Sequence, residues 1–94
     1  MISYDQDTMK TLELRYFARL RDALGCQAER VDVPADIDTP RQLIAWLRQR
    51  GGAWDSELSG QRPFRVAINQ DMSQLDDPIP PGAEVAIFPP VTGG

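Results

Sequence analysis

Apolar and polar residues alternate along Lys10-Thr11-Leu12-Glu13-Leu14-Arg15-Tyr16-Phe17, the period of two that marks a half-buried strand. The pattern then changes period. Leu20 and Leu24 stand four apart, on one side of a short helix over residues 18–24, and Gly25 supplies its stop. Glu29, Val31 and Val33 alternate with Arg30 and Asp32, which predicts a second strand ended by Pro34. The main helix is the most clearly signposted element. Thr39 is a good N-cap, Pro40 suits the first helical position, and Gln42 completes a capping box. Leu43, Ile44 and Leu47 form its buried stripe with Trp46 at the margin, and Gly51-Gly52 closes it. Arg41, Arg48 and Arg50 are spaced to stay in solvent. Residues 53–62 read as a connection with one helical turn, under which Trp54 packs.

Alternation resumes at Phe64-Arg65-Val66-Ala67-Ile68 and is turned by Asn69-Gln70-Asp71. A loop with Asp76, Asp77 and Pro78 leads to Pro80-Pro81-Gly82, which introduces a last strand, Glu84-Val85-Ala86-Ile87-Phe88. Strands on either side of one amphipathic helix predict an α+β domain, a small mixed sheet wrapped on that helix. Domain structure is expected over 9–88, with a polar, non-periodic leader at 1–8 and a tail at 89–94. Parity adds a functional clue. If Val85 and Ile87 face the helix, Ala86 and Phe88 face away, and Phe17 likewise opposes Leu12, Leu14 and Tyr16. With the loop residues Met72 and Leu75, these aromatics mark a candidate contact patch.

Charge and composition narrow the function. The chain has 94 residues, enough for one modest core, and 14 acidic against 10 basic residues, which argues against a nucleic-acid partner. Cys26 is the only cysteine, so no intrachain disulfide forms and a reducing cytoplasm is expected; no membrane-spanning run or signal peptide is expected either. Without histidine, the chain cannot build a Ser-His-Asp or Cys-His nucleophile pair or an ordinary zinc site, and no phosphate-binding glycine loop precedes a helix. We therefore expect no bound cofactor or metal, and chemistry at the tail inside another protein's pocket. Phe88-Pro89-Pro90-Val91-Thr92-Gly93-Gly94 fits that role. The prolines favour an extended exit, and side-chain-free Gly93-Gly94 passes through a narrow channel.

Three stretches then carry a resemblance: Phe17-Ala18-Arg19-Leu20-Arg21-Asp22, Val66-Ala67-Ile68-Asn69, and the run from Pro81 to Gly94 that closes on Phe-Pro-Pro-Val-Thr-Gly-Gly. From about Met9 to Gly94 the chain resembles the small, sulfur-carrying subunits of molybdopterin synthase, a family with the ubiquitin-like β-grasp fold. The resemblance implies a sulfur carrier in molybdenum cofactor biosynthesis. An activating enzyme of ubiquitin-activating type, an adenylyltransferase using ATP and magnesium, would convert the Gly94 carboxylate into an acyl-adenylate. A persulfide donor would turn that into a thiocarboxylate, which gives its sulfur to cyclic pyranopterin monophosphate in the large subunit. This chain would be the non-catalytic, sulfur-donating subunit of a heterotetramer.

By the same resemblance Gly94 is the sulfur-bearing residue, with Gly93, Thr92, Val91, Pro90 and Pro89 guiding insertion. Phe88, Met72 and Leu75 would form the apolar anchor, and Arg21 a polar contact at the rim. Methionine at position 72 stands where an aliphatic residue is the family's habit; its adaptable thioether keeps the anchor apolar. Cys26 matches no motif position. Three alternatives stay open: a carrier of another pathway such as thiamine synthesis, a ubiquitin-like modifier joined to protein lysines, and an interaction module with an inert tail.

Overall fold

The alternating segment folds as β1 (Met9–Tyr16), and the chain turns from it into α1 (Ala18–Leu24) at Ala18, whose φ of 54° lies in the left-handed region. Gly25, at φ 67°, ends α1 as expected, its N–H donating to the Arg21 carbonyl. The chain continues through β2 (Ala28–Pro34), α2 (Pro40–Arg48), α3 (Ala53–Glu57), β3 (Arg65–Ile68), β4 (Asp71–Met72) and β5 (Glu84–Phe88). These elements come from a computed structural model of the protein that describes residues 9–90. The expected leader at 1–8, and Val91, Thr92, Gly93 and Gly94 of the tail, lie outside the described residues.

The five strands form one mixed sheet in the order β2-β1-β5-β3-β4. β1 runs parallel to β5 and antiparallel to β2, while β3 is antiparallel to both β5 and β4. The last strand is thus central, and the tail leaves from the middle of the sheet. Pro34, at the end of β2, sits on an edge strand, where a missing N–H costs no ladder bond.

One face of the sheet is covered by α2. Its capping box forms as the sequence predicts, with Thr39 Oγ1 accepting from the Gln42 N–H and the Gln42 side chain accepting from the Thr39 N–H. Leu43, Ile44 and Leu47 are buried against Leu12, Leu14, Val31, Val33, Val66, Val85 and Ile87 from four strands, and Leu20, Leu58 and Ile79 close the ends of the same core. The α+β expectation holds.

Two features differ from the sequence reading. The turn expected over Asn69-Gln70-Asp71 is a two-residue hairpin connection, with φ of 50° at Asn69 and 72° at Gln70, so Asp71 and Met72 pair with Ile68 and Ala67 as a further strand. Asn69 Oδ1 also accepts from the Glu84 N–H at 3.0 Å, tying the hairpin to β5. Arg50 is not a free solvent cation. The Gly51-Gly52 turn, at φ 76° and 56°, brings Trp54 back beneath it, and its guanidinium lies 4.4 Å from the Trp54 ring centroid.

Candidate functional site

The face of the sheet away from α2 carries the odd-numbered residues of β1 and the even-numbered residues of β5. Register fixes its rows. Arg15 pairs with Ala86, Ala86 with Ala67, and Ala67 with Met72, so one row crosses four strands. Ala67 and Ala86 are buried yet stand outside the core cluster, because they lie on this second face. Their small side chains make a low floor. Around it stand Met72, 61% exposed, and half-buried Phe88. Phe17, 45% exposed, is extended at φ −127° and ψ 154°, and its N–H donates to the Ile87 carbonyl, which places it beside Phe88. Four apolar positions expected to face away from the helix or to anchor a partner, Phe17, Phe88, Ala86 and Met72, therefore share one open face.

Toward β2 the same face becomes polar and internally satisfied. Thr11 Oγ1 donates to Asp32 at 2.7 Å, Arg30 donates to Glu13 at 2.5 Å, and Arg15 lies 3.5 Å from Glu84. The Glu13 bond holds the Arg30 guanidinium above its usual value. The apolar half lies at the end where β5 stops at Phe88 and Pro89-Pro90 begin the tail. Arg65 is the Cα partner of Phe88 on β3 and is exposed. Among the described residues it is the one arginine with no carboxylate partner.

The remaining anchor candidates sit elsewhere. Leu75 lies off the row that holds Met72: it lines a groove with Ile44, Ala45, Leu58 and Phe64 at the helix side of the sheet, and a second one with Phe64, Arg65 and Pro90 at the root of the tail. Its carbonyl accepts from the Arg41 N–H at 2.9 Å, while Arg41 grips Asp76 through two bonds of 2.9 and 3.1 Å. Those bonds hold the Asp76 carboxyl below its usual range and the Arg41 guanidinium above it. Arg21 lies one helical turn after Phe17, half exposed, with its Nε 3.7 Å from Asp22. That position suits a rim contact beside Phe17.

Cys26 belongs to a different cluster. There the Tyr16 hydroxyl donates to Glu29 Oε2 at 2.8 Å, Arg50 donates to both Glu29 oxygens at 2.8 and 3.3 Å, and Trp54 meets the Tyr16 ring edge-on at 5.3 Å. Burial first, and then the hydrogen bond to Glu29, push the Tyr16 hydroxyl far above its usual value. Burial and the Glu29 charge also raise the Cys26 thiol, the opposite of what an activated thiolate needs.

Sequence reasoning missed Arg65 and Ala67 as site residues and did not carry Phe17 into its site. Parity could have placed Arg65 and Ala67 once Met72 was seen as a strand, since both alternate with the core residue Val66. No helix among the described residues is long and apolar enough to cross a membrane.

Known proteins resemble the chain in sequence and in fold. A family model described as the ThiS family matches residues 14–94. The molybdopterin synthase sulfur carrier subunit of Escherichia coli is 34% identical over 83 residues, covering 88% of this chain and 99% of that protein. The crystal structure of the small archaeal modifier protein SAMP1 from Haloferax volcanii superposes with a TM-score of 0.70 at 31% identity, covering 89% of this chain and 99% of that one. A complex of subunits 1 and 2 of the molybdopterin-converting factor from Helicobacter pylori contains the same fold, with a TM-score of 0.57 at 24% identity over 89% of this chain and 99% of that one. The fold is the ubiquitin-like β-grasp, and the resemblance read from the closing Phe-Pro-Pro-Val-Thr-Gly-Gly run is borne out: the chain belongs to the ThiS family.

Proposed function

We propose that this protein is the sulfur carrier subunit of a molybdopterin synthase. The observation that carries the reading is the placement of the tail: a central strand delivers Pro89-Pro90 at the edge of an open apolar face, so one partner can grip Phe17, Phe88 and Met72 while drawing Gly94 into its pocket. A carboxylate is a poor acyl donor, and the chain supplies no machinery of its own to change that. In the proposed cycle an adenylyltransferase joins the Gly94 carboxylate to AMP from ATP, with magnesium balancing the phosphates. The terminal sulfur of a persulfide donor then displaces AMP to give an acyl disulfide, and a thiol reductant cleaves the S–S bond, leaving the thiocarboxylate on Gly94 and the donor's sulfur in a new disulfide. The thiocarboxylate enters the large subunit, which passes its sulfur to cyclic pyranopterin monophosphate. Gly93 and Gly94 fit the channel because they lack side chains, and Val91 and Thr92 lie along it. The cycle belongs in the cytoplasm, where Cys26 stays reduced.

A second reading has one specific observation behind it. Small archaeal modifier protein 1 of Haloferax volcanii is 33% identical over 88% of this chain, nearly the identity of the sulfur carrier subunit from Escherichia coli. An amine in place of sulfur would attack the same acyl-adenylate and yield a protein tag. Intact-protein mass spectrometry separates the two. After incubation with the cognate activating enzyme, ATP, magnesium and sulfide, we expect one oxygen of Gly94 exchanged for sulfur, and no change in a chain lacking Gly94. Lysine-linked adducts without the exchange would favour the tag, and no product from an enzyme active on another carrier would overturn both readings.

A further inference from the structure

Arg65 stands beside the root of the tail, paired with Phe88 across β3 and β5. The tail from Pro89 to Gly94 is six residues long. Fully extended it reaches roughly 20 Å, at about 3.3–3.6 Å per residue. A protein that holds the chain end in a pocket is therefore within that reach of Phe88. A specific interface covers about 800 Å² on each partner, a patch wide enough to include the strand beside the tail's root. That strand is β3, and the residue paired with Phe88 on it is Arg65.

The other cations on this face do not need a partner. Arg30 is hydrogen-bonded to Glu13, and Arg15 lies against Glu84. Among the described residues Arg65 has no carboxylate partner, although the chain carries more acidic than basic residues. An exposed, unpaired guanidinium is well solvated as long as the face is free. Once a partner covers it, that solvation is lost unless a matching anion is supplied. A planar guanidinium matches a carboxylate through two parallel hydrogen bonds, which an apolar neighbour such as Phe88 cannot offer.

We infer that Arg65 is a specificity-determining residue of this face, which docks an Asp or Glu side chain of the large subunit beside the apolar contact made by Phe17, Phe88 and Met72. The inference rests on the sulfur-carrier reading and adds to it the chemistry that a cognate partner must present. The apolar floor of Ala67 and Ala86 gives contact without selectivity, since any apolar protrusion fits it. Arg65 supplies the selectivity, because a partner with an apolar or basic group at that position would bury an unpaired charge.

The test is calorimetric titration of the full chain into the cognate large subunit at low and high salt. It compares wild type with Arg65→Gln, Arg65→Glu and the paired control Arg30→Gln. We expect Arg65→Glu to weaken binding about tenfold or more and Arg65→Gln severalfold at low salt. The gap should narrow at high salt as screening removes the ionic part. Arg30→Gln should stay within about twofold, as a change at an internally paired rim charge does. Thermal unfolding of each variant checks that the fold is kept, and Arg65→Gln carries the readout if the charge reversal unfolds. Binding of both Arg65 variants within twofold of wild type at low salt overturns the inference while leaving the carrier reading intact. Failure of wild type itself to bind overturns the carrier reading, and the inference with it.

Discussion

Ala67 and Ala86 stand opposite one another across β3 and β5, both nearly inaccessible and both outside the core. Two small residues occupy the centre of an otherwise half-apolar face, with half-buried Phe88 and exposed Met72 around them. A larger side chain there would rise into the space a partner uses while disturbing nothing beneath the sheet. We expect Ala67→Gln to weaken docking to the large subunit by about tenfold or more, as loss of central contacts does. Its cost to stability should be about 1–3 kcal/mol, since the side chains that cover Ala67 on this face must move while the core beneath the sheet stays in place. Calorimetric affinity beside a urea melt checks both halves. Unchanged affinity would move the docking surface elsewhere.

Arg50 couples three elements through one side chain. It pairs with Glu29 of β2, lies over Trp54 of α3, and is 5.6 Å from the Trp46 ring centroid of α2. Burial works against its charge, and the bonds it donates to Glu29, with the carboxylate's charge, outweigh that effect. Replacing it with alanine removes the stacking and leaves Glu29 with Tyr16 alone, a loss of about 1–2 kcal/mol for a partly exposed pair of this kind. Arg50→Lys should recover less than half of that, because an ammonium keeps the charge but not the planar fork. Equal stability of the lysine variant and wild type would show that charge alone holds the clamp.

Much of this architecture was legible because its signals are local. Thr39, Pro40 and Gln42 mark the start of α2 within four residues, Gly25 marks the end of α1, and the alternation from Glu84 to Phe88 gives β5 with its correct faces. The chemistry of the tail was legible as a motif. What escaped depends on contacts between distant segments. β4 is two residues long and exists only because Asn69 and Gln70 adopt positive φ and fold Asp71 back onto Ile68. Arg50 looked solvated on helical spacing, and only the return of α3 gives it two aromatic neighbours. Arg65 became informative once the partners of every other arginine were known.

Alkaline pH should destabilise the fold through the Tyr16 cluster. The hydroxyl of Tyr16 and the thiol of Cys26 both hold their protons more tightly in the folded chain than their ordinary values of 10.0 and 9.0 allow, chiefly because burial disfavours the charged forms. Above those ordinary values the unfolded chain has lost protons that the folded chain keeps. The unfolded state then binds fewer protons, so stability falls as pH rises. Urea midpoints should be level below pH 9 and decline beyond it. Tyr16→Phe should start lower by about 1 kcal/mol for the lost hydrogen bond yet decline less steeply. An identical slope for that variant would assign the alkaline loss to other groups.

Lys10 is the only lysine in the chain, and its ammonium is not on the surface. The side chain is 7% exposed, and Nζ donates to the Ile79 carbonyl at 2.8 Å with Asp38 3.5 Å away. Every other basic side chain is an arginine, which stays protonated and does not act as an amine nucleophile at neutral pH. This distribution matters for a protein whose own terminus is to be activated, since an exposed ε-amine could intercept the acyl-adenylate and join copies together. We expect an N-hydroxysuccinimide ester of acetate to leave Lys10 unmodified in the folded protein and to acylate it in denaturing urea. An amine introduced by Arg48→Lys, at a half-exposed position, should react under native conditions and serve as the internal standard. Lys10→Met should cost about 1–3 kcal/mol, because the Ile79 carbonyl is left buried without its donor. Acylation of native Lys10 as fast as the introduced amine would mean that this segment opens readily, and the protection argued from its burial would fall.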